Sequence, residues 1–286
     1  MKPPLFRYYD PETVADVVDL LSKSENAKLL AGGQSLMPML NMRFVLPDHV
    51  IDLNRVGALA FIRENGGVLE IGAMTRQREL ERDATARARC PLLVDAISHV
   101  GHQQTRNRGT LGGSLCHLDP SAELVAVAMA LDAVVSIAGP CGSREIAFAQ
   151  FPQAYMMPAI EADELVTAVR LPLWNKGHGH AFIEFARRHG DFAVCAVAVM
   201  LEKNSGGIIA RASITVAGLE SAPVRIKQAE QSLLGQAASE ALFRDAAEHC
   251  RTLDALGDVH APASYRRHLA VVLTRRALVQ AAARCH

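Results

Sequence analysis

The 286-residue chain contains no run of about 18 apolar residues, so it offers no candidate transmembrane helix. Its first residues, Met1-Lys2-Pro3-Pro4-Leu5-Phe6-Arg7, carry no apolar core of signal-peptide length. Net charge is also lacking: 30 basic and 30 acidic residues cancel, which gives no support for nucleic acid or an anionic membrane as the main partner. The six cysteines (Cys90, Cys116, Cys141, Cys195, Cys250 and Cys285) include no Cys-x-x-Cys pair, which argues against a zinc ribbon or a ferredoxin-type cluster. Without a secretory signal, reduced thiols in a cytoplasmic protein are expected. There is no G-x-G-x-x-G and no Gly-Lys-Ser/Thr ending, which argues against a Rossmann dinucleotide domain and an NTPase. No internal repeat and no low-complexity segment occurs.

What the chain has is apolar bulk. It is 50% hydrophobic and 21% charged, as expected of a folded protein with a sizeable core. Its length allows two ordinary domains or three small ones. Cancelled charge leaves little repulsion between molecules, which favours a protein that lives in a complex.

Two glycine-rich stretches stand out. In the first, Leu29-Leu30-Ala31-Gly32-Gly33-Gln34-Ser35-Leu36, a strand-like run from Lys28 meets two glycines and two small polar residues. Leu36, Met37, Leu40 and Met42 then recur at helical spacing, with Pro38 in the first turn, where proline is tolerated. Strand, glycine turn and helix start together bring backbone N–H groups to an anion. The same pattern also describes a plain tight turn. The second stretch, Gly109-Thr110-Leu111-Gly112-Gly113-Ser114, precedes an apolar helix-like run of Leu124, Val125, Val127, Ala128 and Leu131. Two such loops suggest a ligand with more than one phosphate, or a phosphate plus a ribose-like chain.

Around these stretches the pattern is mixed α and β. Residues 11–22 read as a helix started by Pro11 and Thr13, and 28–31 and 50–53 as strands, making an α/β unit over 1–55. A strand over 67–73, a helix over 77–82 capped by Thr75, a helix over 91–97, a polar segment over 102–108, and strands over 133–137 and 165–171 make a second unit over 56–173. Residues 174–180 read as a linker or hairpin. Strands over 181–185, 194–201 and 208–218 follow, with Gly206-Gly207 as a turn. Helices over 226–234, 240–250 and 266–282 complete a third unit over 174–286.

Several smaller groups admit two readings. Asp119-Pro120-Ser121-Ala122-Glu123 suits a helix start capped by Asp119, and acidic groups beside a phosphate loop also bind sugar hydroxyls. Cys116 and His117 complete no zinc set, so His117 is a hydrogen-bonding residue near a ligand or a loop histidine. Met37, Met39 and Met42 pack a core or face a flat aromatic ligand. Arg187-Arg188-His189-Gly190-Asp191-Phe192-Ala193 is a turn, or a charged loop reaching toward a bound cofactor.

Taken together, Ala31-Gly32-Gly33-Gln34-Ser35-Leu36, Thr110-Leu111-Gly112-Gly113-Ser114, Asp119-Pro120 with Glu123, and Arg188-His189-Gly190-Asp191-Phe192-Ala193 resemble the FAD-binding medium subunits of the molybdenum hydroxylases. That family includes the flavoprotein subunits of carbon monoxide, nicotine and quinoline-type dehydrogenases and the flavin domain of xanthine dehydrogenase. The resemblance covers essentially the whole chain. It implies an α+β protein: a two-part FAD-binding domain of the vanillyl-alcohol oxidase (PCMH) type, then a smaller C-terminal domain of the carbon monoxide dehydrogenase flavoprotein type.

It further implies FAD lying extended between the parts. Leu29, Leu30, Ala31, Gly32, Gly33, Gln34, Ser35 and Leu36 would hold its pyrophosphate. Thr110, Gly113, Ser114 and His117 would reach the diphosphate and ribityl region, Glu123 the adenosine or ribityl hydroxyls, Val166 the adenine side and Phe192 the isoalloxazine ring. Three departures from relatives matter. No lysine stands near Ile183, Ser114 replaces a commoner asparagine, and the cysteine-bearing insertion of the 4-hydroxybenzoyl-CoA reductase branch is absent. The last argues against an additional iron–sulfur cluster.

The implied function is electron relay. A large molybdenum subunit would oxidise the organic substrate, and a small subunit with two two-iron two-sulfur clusters would feed this flavin. NAD or another acceptor would receive the electrons, in a dimer of heterotrimers. No side chain need act as acid or base, so no catalytic residue and no metal ligand is assigned. A stand-alone flavin oxidoreductase of the same fold and a non-redox nucleotide-binding module are the alternatives.

Overall fold

The computed structural model describes residues 1–286. Its chain is mixed α and β, built around three main sheets. The first sheet holds β1 (Arg7–Tyr9), β2 (Ala27–Leu30) and β3 (His49–Asp52), all parallel, with β3 in the middle. Helix α1 (Val14–Lys23) connects β1 to β2, and α2 (Leu36–Asn41) connects β2 to β3. Thr13 caps α1: its hydroxyl oxygen accepts the Asp16 N–H at 3.1 Å. Val17 and Leu21, a helical turn apart, bury one face of α1 against Ile51, Leu53 and Leu165.

The second sheet is antiparallel, in the order β4 (Ile62–Asn65), β5 (Val68–Gly72), β10 (Leu165–Pro172), β6 (Val134–Gly139), β7 (Gly142–Ala147). Between β5 and β6 run six helices: α3 (Gln77–Arg82), α4 (Ala84–Arg89), α5 (Pro91–His99), α6 (Gln103–Arg108), α7 (Leu111–His117) and α8 (Glu123–Ala130). After β6 (Val134–Gly139) and β7 (Gly142–Ala147) come the small hairpin β8 (Pro152–Ala154) and β9 (Met157–Pro158), then the central strand β10 (Leu165–Pro172). Every residue of α8 is buried, as befits a helix that is apolar on nearly all sides.

Four expectations change in this region. Thr75 does not cap α3. Arg76 holds that position, with its N–H donating to Glu79 Oε2 at 3.1 Å, while the Thr75 hydroxyl donates to Phe61 O at 2.9 Å and accepts the Phe61 N–H at 3.1 Å. The polar segment before the second glycine stretch is helical, as α6. Gly112, Gly113 and Ser114 lie inside the first turns of α7 rather than in a loop. Asp119 does not cap α8, whose N-cap is Ala122; its Oδ1 accepts the Ser121 N–H at 2.8 Å, fixing the turn between the helices.

The third sheet runs β11 (Gly179–Phe185), β12 (Cys195–Lys203), β13 (Ile209–Ala217) and β14 (Val224–Arg225), again antiparallel. Its two faces follow the strand period. Ala196, Ala198 and Met200 join the core around α8, while Val197, Val199 and Leu201 face α9 (Lys227–Leu233), α10 (Glu240–Glu248) and α11 (Ala263–Ala283). Small residues on one face let the sheet approach α8 closely. The stretch before β11 is less of a linker than its glycines suggest: Trp174 is buried, with the Arg211 guanidinium 3.9 Å from its ring centroid.

Candidate functional site

The chain crosses from β2 into α2 by a bare turn. Gly33 has φ +74°, open to glycine and costly for an L side chain. The Gly33 carbonyl accepts from Met37 N–H at 3.1 Å and the Gly32 carbonyl from Gln34 Nε2 at 3.2 Å. The backbone N–H groups of Gly32, Gly33, Gln34, Ser35 and Leu36 donate to nothing in the protein. Unbonded amides cost free energy unless water or a ligand takes them.

This turn rests against the second glycine segment. A Cβ on Gly32 would collide with the Arg108 carbonyl and come within 2.8 Å of Gly109 Cα; one on Gly113 would meet Ala31 Cβ at 3.4 Å. The second segment, however, has spent all its amides but that of Thr110. Leu111 N–H donates to Thr75 O (3.1 Å), Gly112 N–H to Ala73 O (2.9 Å), Gly113 N–H to Thr110 Oγ1 (3.0 Å) and Ser114 N–H to Thr110 O (3.2 Å). Gly112 is needed for packing, since a Cβ there would stand 2.6 Å from Ala73 Cβ.

Both segments open onto one cavity of about 490 Å³ lined by 30 residues, within the range of small-molecule sites. Fourteen of the fifteen residues singled out above line it: Leu29, Ala31, Gly32, Gly33, Gln34, Ser35, Leu36, Thr110, Gly113, Ser114, His117, Glu123, Val166 and Phe192. Leu30 does not. Strand alternation turns it to the other side of the turn, where it lines a shallower hollow with Met37 and Arg108.

Val166 is brought in by β10, next to a bulge between Val166 and Ala168. Phe192, 61% exposed, stands at the edge on the loop before β12. That loop is seated by Gly190, at φ +86°, which lies against the His102 ring.

Two lining side chains have shifted titration. Burial lowers the His117 pKa despite Asp119 nearby, favouring a neutral ring. Burial raises the Glu123 carboxyl to about 8, with the Glu184 charge adding to the effect. Cys116 also lines the cavity, and burial pushes its thiol up to about 12, so it stays protonated and unreactive.

Sequence reasoning missed other lining residues. Asp191 and Gly190 lay within a motif already noted, beside Phe192. Gln77, whose buried Oε1 has no partner and sits under Gly109, is the first residue of α3. Met74 and Leu53 come from other segments again. Nothing local to those three residues announces a site.

The chemistry of the lining is distinctive. It contains no lysine or arginine, so a negative group would be held by N–H dipoles. Thirteen of the lining residues are hydrophobic, which suits flat rings on either side of such a group. The unbonded amides, the side-chain-free turn and the apolar walls fit an extended nucleotide with a diphosphate in its middle.

Comparison with known proteins agrees with this chemistry. Residues 4–174 match the model of the FAD binding domain in molybdopterin dehydrogenase, and residues 180–281 that of the CO dehydrogenase flavoprotein C-terminal domain. The 6-hydroxypseudooxynicotine dehydrogenase complex subunit alpha of Paenarthrobacter nicotinovorans is 38% identical, over 98% of this chain and 96% of its own length. The carbon monoxide dehydrogenase medium chain of Hydrogenophaga pseudoflava is 35% identical, over 100% of both. A solved structure of carbon monoxide dehydrogenase from Hydrogenophaga pseudoflava superposes with TM-score 0.96 at 36% identity, covering 100% of both chains.

Proposed function

The chain belongs to the FAD-binding medium subunits of the molybdenum hydroxylase family, and on that premise we propose that it relays electrons from iron–sulfur clusters of a partner subunit to NAD or another acceptor. It is an oxidoreductase flavoprotein subunit with FAD as its cofactor. FAD supplies the ability to accept electrons singly and release them in pairs. Its partners in this reading are a large molybdenum-cofactor subunit and a small subunit with two-iron two-sulfur clusters, in a dimer of heterotrimers. No helix is long and apolar enough to cross a membrane. The six unpaired cysteines suit the cytoplasm to which we assign the complex.

Residues 1–55 and 56–173 form the two parts of the flavin-binding region in this proposal, and 174–286 the C-terminal domain. The residues act by binding and orienting. The open amides of Gly32 to Leu36 hold the diphosphate, with Leu29, Leu30 and Ala31 shaping the turn. Ser114, Thr110, Gly113 and His117 line the adjoining stretch, Glu123 meets sugar hydroxyls, Val166 borders the adenine and Phe192 the flavin ring.

The observation that carries the reading is the run of backbone N–H groups from Gly32 to Leu36, facing a shared cavity without a partner in the protein. Purification from its native host tests it. The expected product is a yellow complex holding FAD, molybdenum and iron in one assembly. A colourless chain would overturn flavin binding. A yellow chain that turns over an organic substrate with no partner subunit would favour the stand-alone oxidoreductase.

A further inference from the structure

Glu123 is a buried acid without a cation. It opens α8, is 6% exposed, lines the cavity and forms no ion pair. A second carboxylate, Glu184 on β11, the strand packed against α5, lies close enough for its charge to act on Glu123. Glu184 Oε1 lies 3.3 Å from His99 Nδ1, on α5, and its Oε2 is buried with no partner. His99 packs on Phe182, ring centroids 5.4 Å apart.

The other charges nearby are already committed. On α5, Asp95 pairs with His180 Nε2 at 3.4 Å and with the guanidinium of Arg284, just past the last helix, at 2.8 Å. From the α7 side come Asp119, which adds negative charge, and His117, whose pKa burial lowers. The one basic side chain whose charge would favour ionised Glu123 is therefore His99, and Glu184 is hydrogen-bonded to it; that hydrogen bond is the main cause of the raised His99 pKa.

A carboxyl taken out of water beside another carboxylate, with no cation of its own, is more stable with its proton on. A ligand with a diphosphate makes this stronger, because it closes the cavity and adds negative charge. We propose that Glu123 meets the ligand as a neutral carboxylic acid, donating its proton in a hydrogen bond to a sugar oxygen, and that the Glu184–His99 pair keeps that proton in place. The inference rests on the cavity being the FAD site. It adds a protonation requirement: binding is strongest while Glu123 holds its proton. Burial holds the Glu123 carboxyl up at about 8, so affinity is expected to be full below this pH and to fall as pH rises through it.

The test is FAD affinity of the full chain from pH 6 to 9 at fixed ionic strength, read by quenching of FAD fluorescence. One proton with a midpoint of about 8 gives a Kd about tenfold higher at pH 9 than at pH 7. Glu123→Gln, which mimics the neutral acid, should bind FAD with a flat profile. Glu184→Gln removes the neighbouring charge, so its profile should keep its shape and move to lower pH; this variant also serves if Glu123→Gln does not fold. A flat profile in the unmodified chain, a persisting pH response in Glu123→Gln, or an unmoved midpoint in Glu184→Gln overturns the inference while leaving the cavity reading intact. Failure to bind FAD at any pH overturns the cavity reading itself.

Discussion

The two glycine segments look alike on paper and differ in kind. Between β2 and α2, Gly32 and Gly33 build a turn whose amides, through Leu36, are left without protein partners. At the start of α7, Gly112 and Gly113 sit in a helix whose first amides are all taken by Thr75, Ala73 and Thr110. In both segments glycine leaves room for the protein, at Gly32 for the Arg108 carbonyl and at Gly112 for Ala73; what separates them is whether the amides are free. A glycine-rich run beside a cavity is therefore evidence of an anion cradle only when its N–H groups are free.

This contrast can be broken most easily at Gly32. Alanine there would drive a Cβ into the Arg108 carbonyl, and both backbone segments would have to part. FAD affinity should fall at least ~100-fold, about 2.7 kcal/mol, in a fluorescence titration. Gly33→Ala should follow at a smaller loss, since φ +74° costs an L residue about 1–2 kcal/mol. Unchanged affinity in both variants would mean that the open amides do not hold the ligand.

Gly112→Ala sharpens the other half. Overpacking against Ala73 should remove about 1–3 kcal/mol from unfolding free energy, measured by denaturant without FAD. Affinity in the fraction that folds should change less than tenfold. An affinity loss as large as that of Gly32→Ala, with stability intact, would show that the second segment is also a cradle and would erase the distinction.

The difference between the segments was only half legible in the sequence. Val17 with Leu21, and the alternating Val197, Val199 and Leu201, announce their elements because periodic burial is a local property. The first turn was legible for the same reason: strand, glycines and helix follow one another along the chain. The helix of α7 was not, because two glycines lower its intrinsic propensity. Its formation depends on the Thr110 cap and on carbonyls supplied by Ala73 and Thr75, which lie far away in sequence. Gln77 and Met74 were missed on similar grounds, as they reach the cavity only through tertiary packing. Glu123 is legible in the sequence as an acid near a glycine-rich segment, but its lack of a basic partner depends on Glu184 pairing with His99 across two elements.

Thr110 decides between two roles. Its Oγ1 accepts the Gly113 N–H at 3.0 Å, so Thr110→Val should cost about 1 kcal/mol of stability as a lost cap, with affinity within about threefold of the parent chain. Denaturant unfolding and FAD titration on the same preparation separate the outcomes. A tenfold loss of affinity at unchanged stability would make Thr110 a ligand contact first and a cap second.

Ser114 should give the smallest effect and the finest reading of the comparison. Its amide is bonded to Thr110 O at 3.2 Å, while its side chain lines the cavity; any hold it has on FAD must come through the hydroxyl alone. Ser114→Ala removes that hydroxyl and leaves the helix amides in place, so the expected loss is one ordinary hydrogen bond, about 0.5–1.5 kcal/mol or roughly twofold to twelvefold in Kd. Ser114→Asn lengthens the reach and adds a second polar group, and should bind at least as tightly as the parent chain. If Ser114→Ala weakens FAD binding more than Gly32→Ala does, the main grip on the ligand lies with side chains of α7, and the order of the two segments is reversed.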